Sequence, residues 1–401
     1  MKRKGETARN KDLMLIAITK TLLSLATGNK HRRQSATCNV ATESVGTCAR
    51  AFAALRRLGW ALLALSILAP TIAEAAWYDN NWPYRTKITI DFTKVTANLT
   101  NFPVLINLAT DAELMANARA DGFDILFTDD DETTKLDHER ELYVSATGEL
   151  VAWVRIPSLP STVNKDIYMY YGYPTSPDQQ SAPGVWSNGY EAVYHLHDDF
   201  NDATGNGNTG TNNGSADTAG KFGDAQSFDG SNYVEVSDTP ALRPGTGPYT
   251  LEAWFKAADA NQSGAFIGKW ENTIPAPQIA FGMCGALDCS SAGQRLLGVY
   301  ASNLSVDEES WLPADDVADG GWHHAALSIS GSSGTLYLDG QLKVKDEDFG
   351  TPNPTNTDNF FIGSLQATTF PFTGEVDEVR ISTTARSAGW IQTSYNNLSD
   401  P

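Results

Sequence analysis

The feature that most constrains this chain is a period of two, repeated in short bursts. In "YRTKITIDF", Lys87, Thr89 and Asp91 alternate with Ile88, Ile90 and Phe92. Successive side chains of a β-strand point to opposite faces, so the pattern reads as a strand with one wet and one dry side. "FPVLINL", "FDILFTD", "RELYVS", "LVAWVRIP" and "DIYMYYGYP" follow at short intervals. One helix is expected among them, in "DAELMANARA", with Leu114, Met115 and Ala118 on one side. Pro, Gly and Ser then break the pattern in "SAPGVWSNG", Ser181–Gly189. Beyond it the same texture resumes, giving about ten more strands between "YEAVYHLH" and "GEVDEVRIS". In "YLDGQLK" the pair Asp339-Gly340 tolerates positive φ and suits a two-residue hairpin turn, with Leu336, Leu338 and Leu342 directed at a core. "SAGWIQTSYNN" predicts a short helix from about Ser387. Such a chain is expected to be all-β, with two β-sandwich domains, the second a two-sheet jelly roll.

Charge adds a location. Residues 1–76 carry 12 Lys and Arg against 4 Asp and Glu, and the remainder carries 17 against 44. A body that acidic repels nucleic acid and anionic lipid, and leaves neutral sugars, cations or basic partners as ligand classes. The basic start has its own logic. Arg50, Arg56 and Arg57 precede an apolar run, Leu58–Ala69, and Ala73-Glu74-Ala75 offers small residues where a signal peptidase reads. A membrane span needs about 20 apolar residues, so this run reads as a secretory signal cleaved near Ala75 or Ala76. Residues 1–44 are either a long basic n-region or sequence upstream of a start near Val45. The expected divisions are 1–76 as upstream segment and signal peptide, then domains at 77–186 and 187–401. The mature chain is expected to be exported to the periplasm, cell surface or medium, with no stable transmembrane segment.

Few residues carry chemistry by spacing alone. Cys284 and Cys289, in "CGALDC", are the two cysteines left after processing, and in an oxidising compartment they are expected to close a small disulfide loop. The stretch "HDDFNDATGNGNTGTNNG", 197–214, offers Asp, Asn and Gly oxygens of the kind calcium takes six to eight at a time. The same residues also make an Asx-turn loop that satisfies its own backbone, and both readings stand. His195 and His197 alternate on one strand and lack a third ligand in sequence, so they read as core or supporting histidines. Trp270, Tyr300, Trp311 and Tyr233 fall in or near loops and strand ends, where an aromatic face can stack on a sugar ring. Trp254 and Trp322 follow the alternation and read as core.

Two resemblances attach to these stretches. "NWPYRTKITID", "NFPVLINL", "FDILFTDDDETTKLDHERE" and "IYMYYGYPTSPDQQSAPGVW" make residues 77–186 resemble domain of unknown function family 2341. That implies a small extracytoplasmic β domain. "YHLHDDFNDATGNGNTGT", "GKFGDAQSFDGSNYVEV", "YTLEAWFK", "GWHHAALSISGSSGTLYLDGQL" and "FTGEVDEVRISTTARSAGWI" make residues 190–401 resemble the laminin-G-like branch of the concanavalin A-like lectin/glucanase superfamily. The resemblance implies a jelly roll of two curved antiparallel sheets that binds glycans or proteins, often beside calcium. It places the Asp/Asn/Gly loop near the last acidic strand, which implies Asp202, Asn206 and Asp377 as calcium ligands.

Some relatives in that superfamily are glucanases, with two glutamates and an intervening aspartate on one face of a strand. Here "GEVDEVRIS" supplies Glu375, Asp377 and Glu378, and position 379 is Val. Strict alternation puts Glu375 and Asp377 on one face and Glu378 on the other, which leaves no acid–base couple of the glucanase kind. The chain is therefore expected to be an exported, non-catalytic binding protein for carbohydrate or another cell-surface ligand, assisted by calcium, with Trp270, Tyr300 and Trp311 as ligand-facing aromatics. A glycoside hydrolase or lyase using Glu375 and Asp377, and a structural envelope spacer, are the alternatives.

Overall fold

The computed structural model describes residues 77–258, 264–270, 278–284, 296–303, 306–311, 317, 319–346 and 356–401. The first part of the chain runs through seven strands. These are β1 (Tyr84–Ile90), β2 (Leu99–Leu108), β3 (Leu126–Thr128), β4 (Lys135–Leu136), β5 (His138–Val144), β6 (Glu149–Leu159) and β7 (Lys165–Tyr171). They form sheet I, ordered β1-β7-β3-β4, and sheet II, ordered β2-β6-β5. Helix α1 (Ala112–Asn117) starts where Asp111 accepts the amides of Glu113 and Leu114. Only part of its expected apolar side is dry: Leu114 is buried, whereas Met115 faces solvent.

The connection carries α2 (Ala182–Val185) into β8 (Tyr190–Tyr194). The second part then folds as two antiparallel sheets. Sheet IV includes β9 (Gly210–Asn213) and sheet III β10 (Ala216–Ala219). Sheet III also includes β11 (Asp224–Asp229), β13 (Tyr249–Ala257), β18 (His323–Ser330), β19 (Ser333–Leu338), β20 (Gln341–Asp346) and β22 (Thr373–Ser382), with β8 paired to β22. Sheet IV also includes β12 (Tyr233–Val236), β14 (Gly264–Lys269), β15 (Gln278–Cys284), β16 (Leu296–Asn303), β17 (Val306–Trp311) and β21 (Phe360–Ile362). Val376, Val379, Phe255, Leu327, Leu336 and Tyr194 of sheet III meet Phe266, Phe281, Val234 and Ile362 of sheet IV in one core. The two-residue turn at Asp339-Gly340 forms with φ of 52° and 71°. Leu336 and Leu338 are buried as expected, but Leu342 is 53% exposed because the β19–β20 register slips between Leu336 and Tyr337. Helix α3 (Ala388–Ser399) is capped by Ser387, as its sequence requires.

Besides the core between sheets III and IV, a second cluster joins the two parts. Phe102, Phe127 and Trp153 from the first part pack in one cluster with Trp186, Tyr190, Val193, Trp254, Trp390 and Leu398 from the connection and the second. Sheet II is covered on both faces, which is why Leu150–Val154 of β6 is an unbroken buried run. Helix α3 closes the seam: Trp390 meets Phe102 edge-on at 4.8 Å, and Asn397 takes the Leu105 amide at 3.1 Å. The chain connection at 186/187 runs through this joint cluster, with Trp186 and Tyr190 buried in it. The layering sets one face of sheet II against the outer face of sheet III, and this seam holds the site described next.

Candidate functional site

Each wall of the seam contributes carboxylates through a strand irregularity. In β5 the register against β6 shifts between Arg140 and Leu142, so Glu141 is an extra residue beside Glu139. In β22 the register against β13 shifts: Trp254 pairs Asp377 and Glu252 pairs Arg380, which sets two residues of β22 opposite Ala253. Glu378 is the bulged residue and takes a φ of 51°. The bulge resets the alternation. Val376, Val379 and Ile381 enter the sandwich core, whereas Asp377, Glu378 and Arg380 all make their contacts on the outer side. The sequence expectation that Glu378 faces away from Asp377 is therefore corrected: one inserted residue puts both on the same face.

His195, just past the end of β8, sits between the two walls. Its Nδ1 lies 2.7 Å from Glu378 Oε1 and 3.5 Å from Glu141 Oε2, and its Nε2 lies 3.2 Å from Glu139 Oε2. Three other side chains fix these carboxylates. Trp153 Nε1 donates to Glu141 at 2.8 Å and Trp186 Nε1 to Glu139 at 2.6 Å. Arg380 donates to Glu378 Oε2 at 2.6 Å and lies over the rings of both tryptophans. Trp153 stacks on the imidazole with a 5.7 Å centroid separation.

Burial and charge set the protonation. Burial opposes a charge on His195, but Glu378, Glu139 and Glu141 outweigh it and hold the imidazolium well above its ordinary range. Burial pushes Glu141 up to about 7, helped by Glu378 and opposed by His195. Glu378 is buried too, yet His195 and Arg380 bring it down to about 2. Asp377 is 1% exposed, and burial pushes its carboxyl well above the usual range, with Glu378 and Glu141 adding to the effect. Its Oδ2 accepts the Lys221 and Phe222 amides, while Oδ1 has no hydrogen-bond partner among the described residues.

Above His195 the seam opens as a cleft of about 760 Å³. Glu139, Glu141, Tyr143 and Gln180 line the side of the first part, and His197, Asp198, Asp199, Asn201 and Asp202 the other.

The residues named from sequence fall elsewhere or take other partners. Glu375 and Asp377 do share the outer face of β22, but Glu375 pairs with Lys256 at 2.9 Å, and neither lines the cleft. Asp202 serves its own loop: Oδ1 accepts from the Val193 and Thr204 amides and the Thr204 hydroxyl, and Oδ2 from both nitrogens of Asn208. Asn206 donates to the Glu191 carbonyl. No hydrogen bond of the described residues joins Asp202 or Asn206 to Asp377. Trp270 follows β14, and its carbonyl accepts from Gln366. Tyr300 and Trp311 lie on β16 and β17, where the described structure gives backbone positions alone. The Cys284–Cys289 expectation lies outside the described side chains. Trp254 is core as expected, and Tyr233 packs edge-on against Phe361. The sequence reading missed Glu139 and Glu141. Their one signal was two glutamates in step on "HERELYV", facing Trp153 on the neighbouring strand.

Known families match both parts. Residues 228–392 match the concanavalin A-like lectin/glucanases superfamily, and residues 121–213 match the domain of unknown function (DUF2341). Both resemblances read from the sequence are met. Every cleft-lining residue lies within 121–213, and Glu378 and Arg380 beneath them lie within 228–392. No curated protein matches the chain. Similar solved structures include domain 4 of AbnA, a GH43 extracellular arabinanase from Geobacillus stearothermophilus, in complex with arabinotriose. It is 21% identical over 51% of this chain and 96% of that one, with a TM-score of 0.41. The binding domain of Paraclostridial Mosquitocidal Protein 1 is 11% identical over 52% of each chain, with a TM-score of 0.43. The binding domain of botulinum neurotoxin DC in complex with SialylT is 10% identical over 54% of this chain and 52% of that one, also at 0.43. This chain thus spans about half the length of the two toxin domains. Among the described residues no helix is long and apolar enough to cross a membrane.

Proposed function

We propose that this is an exported, non-catalytic binding protein that takes carbohydrate or another cell-surface ligand in the cleft between its two sandwiches. The cleft itself carries the reading. Its volume falls in the range of small-molecule pockets, about 300–1,000 Å³. Its rim offers Asp199, Asn201, Gln180 and Tyr143, which are acceptors and planar groups suited to sugar hydroxyls. The surrounding acidity disfavours anionic ligands and nucleic acid. Export rests on the basic, apolar and small-residue order of residues 50–76. The pairing of Glu375 with Lys256 and the burial of Asp377 favour structural roles for the two residues that a glucanase-like reading would use.

A glycan array probed with the purified protein and with an Asp199→Ala/Asn201→Ala double variant tests the proposal. These two side chains hydrogen-bond to each other at 2.6 Å and lie outside the buried network. Binding to a defined neutral glycan, weakened about tenfold or more in the variant, is the expected result. No binding across the array, or equal binding by both proteins, overturns it. Polysaccharide turnover lost in Glu375→Gln would return the enzyme reading instead.

A further inference from the structure

We propose that His195, Glu141 and Glu378 form a binding site for a divalent transition-metal ion, Zn²⁺ or Mn²⁺, with Glu139 orienting the imidazole. The proposal goes beyond glycan recognition and needs no sugar to be true. Its basis is the spacing of donor atoms. Two ligands about 2.1 Å from a common ion, at tetrahedral or octahedral angles, lie roughly 3.0–3.4 Å apart. His195 Nδ1 is 2.7 Å from Glu378 and 3.5 Å from Glu141, which brackets that range, and the three ligand atoms lie within 4.8 Å of one another.

The surroundings fit an ion. Glu139 accepts from Nε2 at 3.2 Å and would keep the ring oriented, while the ion would displace the Nδ1 proton that now bridges to Glu378 at 2.7 Å. A carboxylate on the far nitrogen is the usual support for a metal-bound histidine. Trp153 and Arg380 hold the two ligating carboxylates from behind. Three carboxyls, Glu139, Glu141 and Glu378, surround the one imidazole of His195. Asp377 supplies an independent sign of an unsatisfied polar group beside Glu378: it is 1% exposed, and its Oδ1 is buried with no hydrogen-bond partner among the described residues. Burial of an unpaired acceptor is costly unless something satisfies it. Glu139, Glu141 and His195 open on the cleft, which gives an ion and its water a way in. One nitrogen and two oxygen donors select a borderline ion over calcium, which prefers oxygen alone.

A second acidic group, His197, Asp198 and Asp224, also converges. It does not compete, because His197 Nδ1 accepts the Asp224 amide at 3.2 Å, which puts the ring proton on the Nε2 that faces Asp198. It serves as the control.

The purified protein is stripped with chelator and titrated calorimetrically with zinc chloride and with manganese chloride. One ion per chain at micromolar affinity is expected, with quenching of Trp153 fluorescence. His195→Gln should abolish binding, Glu139→Gln should weaken it about 10–100-fold, and His197→Gln should bind as the native protein does. Glu141→Gln keeps an oxygen for Trp153 Nε1, so it tests the site even if the His195 variant fails to fold; a loss of about tenfold or more is expected. No heat with either metal up to millimolar, or undiminished binding by Glu141→Gln, overturns the proposal. So does loss of binding in His197→Gln with retention in His195→Gln.

Discussion

Asp377 and Glu378 are consecutive in the chain and lie on the same face of one sheet. The β22 bulge that makes this so holds Glu378 at a φ of 51°, where a side chain beyond glycine is strained. Two separable effects follow. Glu378→Ala strands His195 and Arg380 without their carboxylate in a buried setting, so unfolding in urea should show a loss of about 3–5 kcal/mol. Glu378→Gly loses the same charge and relieves the φ strain, so it should be about 1 kcal/mol more stable than the alanine variant. Equal stability of the two variants would count against the bulge.

Protonation of the seam sets an acid-side stability optimum in the metal-free protein. Glu378, held at about 2, contributes stability that is present above the ordinary value of 4.5 and lost as pH falls through about 2. Glu141, pushed up to about 7, resists ionisation when folded, so stability falls as pH rises from 4.5 to 7. The raised His195 contributes stability that is complete below 6.5 and lost as pH climbs through its folded value. The raised Asp377 carboxyl adds a loss of stability as pH climbs above 3.8, so the four groups together place the maximum in the ordinary carboxylate range, at about pH 4–5. Urea midpoints measured from roughly pH 3 to 9 should show that peak. Glu141→Gln should recover on the order of 1–3 kcal/mol at neutral pH, and an unchanged slope between the two carboxyl values would refute the assignment.

Much of this was legible in the residues, and the remainder has one local reason and one long-range one. Alternation in β1, the Asp339-Gly340 turn and the Ser387 cap are short-range signals, and each formed where it was expected. Glu378 was misplaced because a bulge adds one residue to a period of two, and no residue type announces it; glycine, the usual occupant of a positive φ, is absent there. His195 was set aside as a ligand because its partners, at 139, 141 and 378, are remote in sequence. They meet only when the two sandwiches share a core, and alternation within a strand says nothing about which sheet will cover its outer face.

Asp202 illustrates a loop that supplies its own ligands. Its two oxygens accept from Val193, Thr204 and Asn208, so the carboxylate that sequence offered to calcium is already engaged by N–H and O–H donors. Asp202→Ala leaves those donors short and should cost about 2–4 kcal/mol in chemical unfolding. Millimolar calcium should shift the melting temperature of the native protein by less than about 1 °C. A calcium-dependent rise that disappears in Asp202→Ala would restore the calcium reading.

Trp390 tests whether the two parts unfold as one. It packs against Phe102 of the first sandwich, while its own helix lies over the second, and Thr393 and Asn397 extend the contact to Thr96, Leu105 and Pro103. Trp390→Ala removes a buried indole from that seam and should cost about 3–5 kcal/mol. Because the core is shared, the loss should appear as one shifted transition, with tryptophan fluorescence and far-ultraviolet circular dichroism still superimposed. A fragment of residues 187–401 would bare Tyr190, Val193 and Trp254 on the outer face of sheet III, and it should aggregate at concentrations where residues 77–401 stay in solution. Two resolved transitions in the longer chain, or a well-behaved monomeric fragment, would mean that the seam is a contact between independent domains. In that case His195 would sit at an interface free to open.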